Sequence, residues 1–238
     1  MMQSYIHLEN GDKNGMKCEL KKHHRLVTKQ FTFDYSAEEI LERLRRETWH
    51  DKGNENRPRK QLHRIRDPYL QQMLDYAHSS DVIAPAVKML YETNAEHHPN
   101  PMDWKWLDDP ADMYGCLRSF CNFFWDAPGY DNTMHLDPIA IPYTGMVYLT
   151  PDTDPRQGTR FYNFRGGDIN QPLEKVFDVP VQFGAGWIQA NTYYSWHEGG
   201  NFTDSENRYS IIYTIYFDLT PNLKRRKEYV RAVKRNMK

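Results

Sequence analysis

Cysteine is scarce in this chain, and long apolar runs are missing. Three cysteines, Cys18, Cys116 and Cys121, occur among 238 residues, and their spacing matches no metal-binding motif. A small, odd number of cysteines is typical of reduced thiols in an intracellular protein rather than of a disulfide framework. No apolar stretch has the length of a membrane-spanning helix, and the first residues lack the apolar segment of a signal peptide. The sequence therefore predicts a soluble, cytoplasmic protein without a membrane partner.

An excess of charge of one sign is also missing. The chain has 31 Lys and Arg against 32 Asp and Glu, which gives a formal net charge of -1 at pH 7. Basic residues are nevertheless concentrated at 43–66 and again after Pro221, a pattern that could bind an acidic partner or nucleic acid. Because no recognised nucleic-acid-binding motif accompanies them, a solvated surface is the favoured interpretation and nucleic acid is not the favoured partner.

Internal repeats and low-complexity tracts are absent as well, and the two halves of the chain differ in pattern. The residues Ser-Ala-Glu-Glu that begin at Ser36 form a capping-box motif, which predicts a helix as far as about Trp49. A polar stretch at 50–60 predicts a loop. Helical patterns return at 68–78 and 82–92, so the N-terminal part is predicted to be mainly helical.

Strand patterns dominate from about residue 115 onward, and aromatic residues are plentiful. Sixteen Tyr, eleven Phe and six Trp suit a β-rich core better than a coiled coil. Helices followed by short strands predict an α+β fold, in which helices support a β-sandwich. Within one compact unit, the predicted divisions are a helical N-terminal supporting region at 1–105, a β-rich core at 106–220 and a basic C-terminal helix at 221–238.

The most informative motif of the core is His135-Leu136-Asp137, which a second histidine, His197, follows farther along the chain. In an extended segment His135 and Asp137 occupy alternate positions, so their side chains point to the same face. Two histidines and one carboxylate form the facial triad that holds non-heme Fe(II) and leaves other positions open. The competing interpretations are a surface turn at the first two residues and a partly buried histidine bonded to a backbone carbonyl at His197. We favour a metal site.

Arg208 and Ser210 begin a strand-like run that continues to Phe217. Period-2 spacing places the two side chains on one face. An inward guanidinium beside a hydroxyl suits a carboxylate ligand, because arginine binds carboxylates through paired, charge-assisted hydrogen bonds. The alternative is an ordinary strand-edge arginine that pairs with Glu206 or Asp204. We favour a carboxylate anchor.

These motifs follow one another in an order that is found in a known family. The segments are, in chain order, Pro128-Gly129, His135-Leu136-Asp137, Gly145 to Thr150, Gly158 to Tyr162, Trp196-His197 and Arg208-Tyr209-Ser210. Their order resembles the Fe(II)/2-oxoglutarate-dependent dioxygenases, nearest the prolyl-4-hydroxylase-like branch. The family pattern is His-x-Asp, a Gly-Thr/Glu-x-Phe strand, a distal His and then Arg-x-Ser. The likeness covers roughly residues 120 to 219.

The resemblance implies a double-stranded β-helix, or jelly-roll, core with a metal between two sheets. It implies that His135, Asp137 and His197 are the catalytic iron ligands, and that Arg208 and Ser210 bind the distal carboxylate of 2-oxoglutarate. The implied reaction uses dioxygen to hydroxylate a C–H bond of a protein side chain or a small metabolite, while 2-oxoglutarate is decarboxylated to succinate. Fe(II) and 2-oxoglutarate are therefore the expected cofactors.

Some positions narrow the resemblance further. Many members carry a tyrosine just before the Pro-Gly turn that contacts the cosubstrate, whereas Phe124-Trp125-Asp126 stand there in this chain. Tyr143 or Tyr148 could supply that hydroxyl, and the sequence leaves both open. Thr214 stands where nucleobase-repair relatives carry a second arginine, and Asp137 is the carboxylate that halogenating relatives lack. The resemblance therefore disfavours both of those branches.

Two other functions fit parts of the pattern. A non-catalytic β-sandwich binding or structural module would bind no iron and would not depend on Arg208. A cupin-type metal enzyme without an oxo-acid cosubstrate favours a His-x-His cluster followed by Glu, and it has no need of Arg208 and Ser210. The order of the motifs favours the dioxygenase over both.

Overall fold

The computed structural model describes the chain in segments: residues 6–8, 16–21, 24–53, 58–95, 117–130, 132–138, 141, 143–151, 157–192, 194–199 and 207–217. Strands and helices alternate in the N-terminal part. They are β1 (Ile6–Leu8), β2 (Met16–Lys21), β3 (His24–Phe33), α1 (Ala37–Arg45), β4 (Thr48–Asp51), β5 (Arg59–Arg64), α2 (Pro68–Ala77) and α3 (Ser80–Ala95).

Strands alone make up the regular structure described after α3, apart from one short 3-10 turn at Arg165–Gly167. They are β6 (Leu117–Asp126), β7 (Asn132–His135), β8 (Tyr143–Tyr148), β9 (Thr159–Phe164), β10 (Leu173–Val179), β11 (Ala185–Ala190), β12 (Trp196–Gly199) and β13 (Arg208–Phe217). The prediction that strands dominate this part of the chain is confirmed.

The strands form two antiparallel sheets. Over the described residues, the large sheet has nine strands in the order β1-β3-β11-β8-β13-β6-β5-β4, with β2 paired to β3, and the small sheet has the order β10-β9-β12-β7. From β6 to β13 the chain passes repeatedly between the sheets, because β6, β8, β11 and β13 are in the large sheet and the other four are in the small one. This alternation matches the two-sheet, eight-strand arrangement of a jelly roll.

Two apolar layers hold these elements together. The layer between the sheets includes Met146, Tyr148 and Phe161. The second layer joins the large sheet to the three helices, and on β8 it contains Tyr143 and Val147. Since successive side chains of a strand point to opposite faces, β8 supplies both layers. Burial on both sides fixes the register of β8, the strand behind the candidate site.

The first helix begins as predicted and ends earlier. The Ser36 side chain accepts from the backbone of Glu39, and the Glu39 side chain accepts from the backbone of Ser36, which confirms the capping box. The helix ends at Arg45 instead of near Trp49, because Trp49 lies in β4. Its indole Nε1 donates to the Leu44 carbonyl oxygen at 3.0 Å, so the tryptophan binds a carbonyl of the last helical turn from outside the helix.

The polar stretch at 50–60 was predicted to be a loop, and this prediction is wrong at both ends. Asp51 and Lys60 are paired residues of the antiparallel strands β4 and β5. Strand β5 in turn pairs with β6, which extends the large sheet by a hairpin. The region 1–105 thus contributes strands as well as helices.

The basic helix predicted at 221–238 lies outside the described residues. None of the helices in the described ranges is both long and apolar enough to cross a membrane.

Candidate metal and carboxylate site

The three predicted metal ligands meet at one edge of the small sheet. His135 on β7 and His197 on β12 are directly paired residues of neighbouring strands, and their ring centroids are 4.4 Å apart. Asp137 follows β7 and lies between them: its Oδ1 is 3.7 Å from His135 Nε2 and its Oδ2 is 3.6 Å from His197 Nε2. One ligand atom from each residue lies within 4.8 Å of the others, an arrangement that could hold a metal ion.

Both histidines are oriented through the ring nitrogen that faces away from the carboxylate. His135 Nδ1 lies 2.7 Å from the Thr133 carbonyl oxygen, and His197 Nδ1 lies 3.0 Å from the Ser195 carbonyl oxygen. A carbonyl oxygen only accepts, so His135 Nδ1 carries the proton and its Nε2 presents a lone pair. His197 Nδ1 lies between the Ser195 carbonyl oxygen, which accepts, and the Gln189 amide nitrogen, which donates, and its Nε2 faces Asp137. Histidines that bind metals are commonly held in this way. The site therefore fits a metal ion in its chemistry as well as in its spacing.

Polar side chains behind the ligands fix them further. Thr144 Oγ1 donates to Asp137 Oδ2 at 2.6 Å, and the Asn191 side-chain oxygen lies 3.1 Å from the same hydroxyl. The amide of Gln189 lies 3.1 Å from His197 Nδ1 and 3.4 Å from the Asn191 side-chain oxygen. Thr144, Gln189 and Asn191 are all buried, so this network connects the carboxylate to the distal histidine inside the protein. The sequence motifs gave no sign of these three residues.

The protonation states also favour metal binding. Burial alone would raise the pKa of Asp137, but His135, His197 and Thr144 together hold that pKa below its usual range. Burial lowers the pKa of His197, against the attraction of Asp137. Near neutral pH the site therefore contains an ionised carboxylate and a neutral imidazole, which are the forms that bind a metal.

Arg208 lies on the same side of the small sheet as the triad. A Cβ added to Gly199 would be 3.5 Å from Arg208 Nη2 and 3.7 Å from Nη1, so the guanidinium lies against the face of β12 at Gly199. His197 is two positions before Gly199 on that strand, so the two residues share a face. Their positions along the strand are separated by about 6–7 Å. The sequence prediction that the arginine points inward is confirmed, since only 1% of it is exposed.

Ser210 is fully buried near the beginning of β13, two residues after Arg208. It occupies the alternate position after Arg208 on β13 and is paired with Tyr148 of β8. Its Oγ has no hydrogen-bond partner among the residues that the structure describes. A buried hydroxyl without a partner costs free energy, so a ligand that accepts its hydrogen bond would be stabilised here.

Asp126 forms the principal ion pair of Arg208. Arg208 Nε and Nη2 donate to Asp126 Oδ2 at 3.0 and 2.7 Å, and Nη1 lies 3.4 Å from the Gln157 carbonyl oxygen. The predicted alternative partners Glu206 and Asp204 lie outside the described residues. A second arginine, Arg59, donates to both oxygens of the same carboxylate, from Nε to Oδ1 at 2.5 Å and from Nη2 to Oδ2 at 3.0 Å. Asp126 is fully buried, so two guanidiniums compensate one carboxylate inside the protein.

The Asp126→Asn substitution is expected to lower the free energy of unfolding by about 3–5 kcal/mol, because it leaves two guanidiniums without their buried counter-charge. Chemical denaturation measures this change. Asp178→Asn is the matched control, since the Asp178 pair with Lys175 is exposed and should change stability by less than about 1 kcal/mol. A loss of less than about 1 kcal/mol for Asp126→Asn would contradict the claim that the Asp126 carboxylate stabilises the fold by pairing with both arginines.

The same substitution has a predicted pH dependence. Burial alone would raise the pKa of Asp126, but Arg208 and Arg59 hold this pKa below its usual range in the folded protein. The contribution of Asp126 is therefore complete above its unfolded pKa of about 3.9 and is lost as pH falls through the lower folded value. The stability difference between the unsubstituted protein and Asp126→Asn should shrink in that acidic window. A stability difference that stays constant as the pH falls through this range would contradict a lowered pKa of Asp126 in the folded protein.

The two tyrosines that the sequence left open lie on opposite faces of β8. Tyr148 is in the layer between the sheets, where its ring centroid is 5.9 Å from Arg208 Cζ and its hydroxyl lies 2.5 Å from Thr159 Oγ1. Tyr143 is in the layer that contacts the helices, so the large sheet separates it from Arg208. A cosubstrate contact by Tyr143 is therefore not compatible with the fold. A third tyrosine, Tyr130, was not among the predicted site residues. Its ring centroid lies 5.7 Å from Arg208 Cζ.

No family model matches the chain, and no curated protein matches it. Among solved structures, the chain is similar to the non-heme alpha ketoglutarate dependent epimerase SnoN from nogalamycin biosynthesis, with 18% identity, a TM-score of 0.45 and coverage of 76% of this chain and 73% of that one.

Two further solved structures are similar at a comparable distance. A Pseudomonas putida prolyl-4-hydroxylase has 14% identity, a TM-score of 0.41 and coverage of 76% of this chain and 85% of that one. HygX from Streptomyces hygroscopicus, solved with nickel, 2-oxoglutarate and hygromycin B, has 15% identity, a TM-score of 0.46 and coverage of 80% and 82%. All three similarities have identities below 20% and TM-scores below 0.5.

Proposed function

We propose that this protein is an Fe(II)- and 2-oxoglutarate-dependent dioxygenase whose jelly-roll core hydroxylates a C–H bond of a protein side chain or a small metabolite. The observation that carries the proposal is the proximity of two complementary sites on one face of β12. At one site two imidazole Nε2 atoms and a carboxylate converge. At the other, a buried guanidinium lies against Gly199, two positions from His197.

The spacing of the two sites suits a short dicarboxylate with a 2-oxo group. His135, Asp137 and His197 would hold iron by one face, and nitrogen and carboxylate oxygen ligands suit Fe(II). The 2-oxo acid end of the cosubstrate would face the metal, while Arg208 and Ser210 would bind the distal carboxylate through charge-assisted hydrogen bonds. A strand advances about 6–7 Å in two residues, which is the scale of a five-carbon chain.

The surroundings separate a dry side from an open side. Phe161 and Trp187 lie beside His197, with ring centroids 6.1 and 6.0 Å from it, and both are buried. Their apolar rings exclude water behind the distal histidine. The side chains of His135 and Asp137 remain 32% and 21% exposed, so a substrate can approach the metal from their side.

When iron and 2-oxoglutarate are bound, they supply the oxidising chemistry with dioxygen, and the products include succinate and carbon dioxide. The chain itself orients the ligands through Thr133 and Ser195, keeps Asp137 ionised, and anchors the far end of the cosubstrate. Substrate recognition then falls to residues around the open side.

The test of this proposal is metal-dependent binding of 2-oxoglutarate. Calorimetric titration is performed with Mn(II), which replaces Fe(II) without redox chemistry, and with no metal. Glutarate is the control ligand, since it has both carboxylates and lacks the 2-oxo group. We expect the metal to strengthen 2-oxoglutarate binding by about tenfold or more and to leave glutarate binding unchanged. Equal 2-oxoglutarate affinity with and without metal would contradict the proposal and favour a non-catalytic binding module.

The Ser210→Ala substitution separates a binding role from a structural one. Its hydroxyl is buried without a partner among the described residues, so removing it should stabilise the ligand-free protein by about 1 kcal/mol or leave its stability unchanged. A hydrogen bond to a carboxylate would be lost, so 2-oxoglutarate affinity should fall about tenfold. Thermal unfolding and calorimetry measure the two effects. Reduced stability with unchanged affinity would assign Ser210 to the core alone.

A further inference from the structure

Strand β5 forms a hairpin with β4, which is called the N-terminal hairpin below. It places Arg59 beside Asp126, the ion-pair partner of Arg208. In the large sheet β6 lies between β5 and β13. Arg59 is paired with Asp126 on one side, and Arg208 is paired with Asp126 on the other. The register thus aligns arginine, aspartate and arginine across three strands, and directly opposite residues are the ones whose side chains meet.

The hydrogen bonds to Asp126 determine which part of the Arg208 guanidinium faces a ligand. Arg59 donates to both oxygens of the Asp126 carboxylate, and Arg208 donates to Oδ2 through its Nε and Nη2 edge. A ligand carboxylate would therefore have to bind at the outer end of the Arg208 guanidinium, formed by Nη1 and Nη2, where the Gln157 carbonyl oxygen lies 3.4 Å from Nη1. This end lies against Gly199, on the side of the metal ligands.

The charges of the cluster favour a role beyond packing. Among the described residues of this cluster, Arg59 and Arg208 with the single ionised carboxylate of Asp126 sum to one positive charge. Arg208 with Asp126 alone would be a neutral pair and would attract an anion weakly. The centroid of the Tyr130 ring lies 4.4 Å from Arg59 Cζ and 5.7 Å from Arg208 Cζ, so one aromatic ring contacts both cations.

We propose that Arg59 is a positioning residue for the cosubstrate: it neutralises Asp126, so that the positive charge of Arg208 stays available to the distal carboxylate of 2-oxoglutarate. This inference rests on the proposed function and extends it. It makes the N-terminal hairpin part of the cosubstrate site rather than only a support for the sheet. Arg59 acts through Asp126 and Arg208 and has no assigned contact with the ligand.

The experiment compares 2-oxoglutarate binding by calorimetry in the full-length protein with Mn(II). Arg59→Gln removes the charge and should weaken 2-oxoglutarate about tenfold while Mn(II) affinity stays unchanged. Arg59→Lys retains the charge and should stay within about threefold of the unsubstituted protein. The double variant Arg59→Gln/Asp126→Asn restores the net positive charge of the cluster, so its affinity should recover to about that of the unsubstituted protein. Arg165→Gln, at an exposed ion pair with Glu174, is the matched control.

The double variant separates charge from packing. A purely structural Arg59 would make the double variant bind no better than Arg59→Gln, and that result overturns the inference. Unchanged affinity in Arg59→Gln overturns it too. Arg59→Lys covers the case in which Arg59→Gln does not fold, because a loss of affinity in the charge-retaining variant also overturns the role. Absence of metal-dependent 2-oxoglutarate binding in the unsubstituted protein overturns the proposed function itself, and this inference with it.

Discussion

Asp137→Ala is expected to weaken binding of a divalent metal by at least about a hundredfold, because it removes the anionic ligand of the proposed site. Changes to groups that only orient a metal ligand already cost about 10–100-fold in metal affinity, so loss of a ligand should cost no less. The two imidazoles would remain, each held by its backbone carbonyl. Anaerobic calorimetry with Fe(II), and with Mn(II) as a redox-stable substitute, measures the change.

The control for this substitution is Asp178→Ala on β10, at the edge of the small sheet opposite β7. Asp178 is exposed and pairs with Lys175. The metal affinity of the Asp178→Ala variant should equal that of the unsubstituted protein. Circular dichroism confirms that both variants are folded. Tight metal binding by Asp137→Ala would mean that the ion is held elsewhere, and the triad assignment would be lost.

Arg208→Ala is expected to weaken 2-oxoglutarate binding by about a hundredfold or more. Truncating one partner of a buried, hydrogen-bonded charge pair costs about 2–5 kcal/mol, and each 1.4 kcal/mol is a factor of ten in affinity. Metal affinity should stay the same, because Arg208 is not a ligand. Asp126 keeps Arg59 as its partner, so the variant retains a paired carboxylate in the core.

Two comparisons make the Arg208 result specific. Glutarate, which lacks the 2-oxo group, should lose affinity in Arg208→Ala as well, because its carboxylate would use the same anchor. Arg165→Ala, at an exposed ion pair with Glu174, should bind both ligands normally. If Arg208→Ala binds 2-oxoglutarate as well as the unsubstituted protein does, the buried arginine serves the fold alone.

The local geometry of the candidate site could be predicted from the sequence because it depends on strand periodicity. Alternate positions of β13 place Arg208 with Ser210 on one face. The same spacing predicted that His135 and Asp137 lie together, although Asp137 is just beyond the end of β7. The structure brings the latter pair together with His197 and buries Arg208 and Ser210. The capping box at Ser36 was predictable for the same reason, since it uses contacts only three residues apart.

The parts that could not be predicted depend on contacts between distant segments. Arg59 and Asp126 meet only because β5 joins the edge of the large sheet at one particular register. No local pattern marks Arg59, which lies in a basic stretch that reads as a solvated surface. The choice between Tyr143 and Tyr148 likewise needs the packing of both faces of β8, because every residue of this strand is buried and each face carries one of the tyrosines.

The end of α1 shows how packing overrides local preference. A helical pattern continues beyond Arg45, yet Trp49 takes a place in β4, where its ring packs edge-to-face with those of Trp125 and Tyr209. Contacts of this kind with distant aromatic residues contribute more than the helix propensity of a few residues. The boundary is therefore set by the sheet rather than by the helix.

The most direct test of the central claim is the anaerobic visible absorbance of the purified protein with Fe(II), before and after addition of 2-oxoglutarate. We expect a weak charge-transfer band that requires both additions, is absent in Asp137→Ala, and in Arg208→Ala appears only at much higher 2-oxoglutarate concentration. A folded protein that shows no band with both additions would contradict the proposed function, because the iron and the 2-oxo acid would then not share one site.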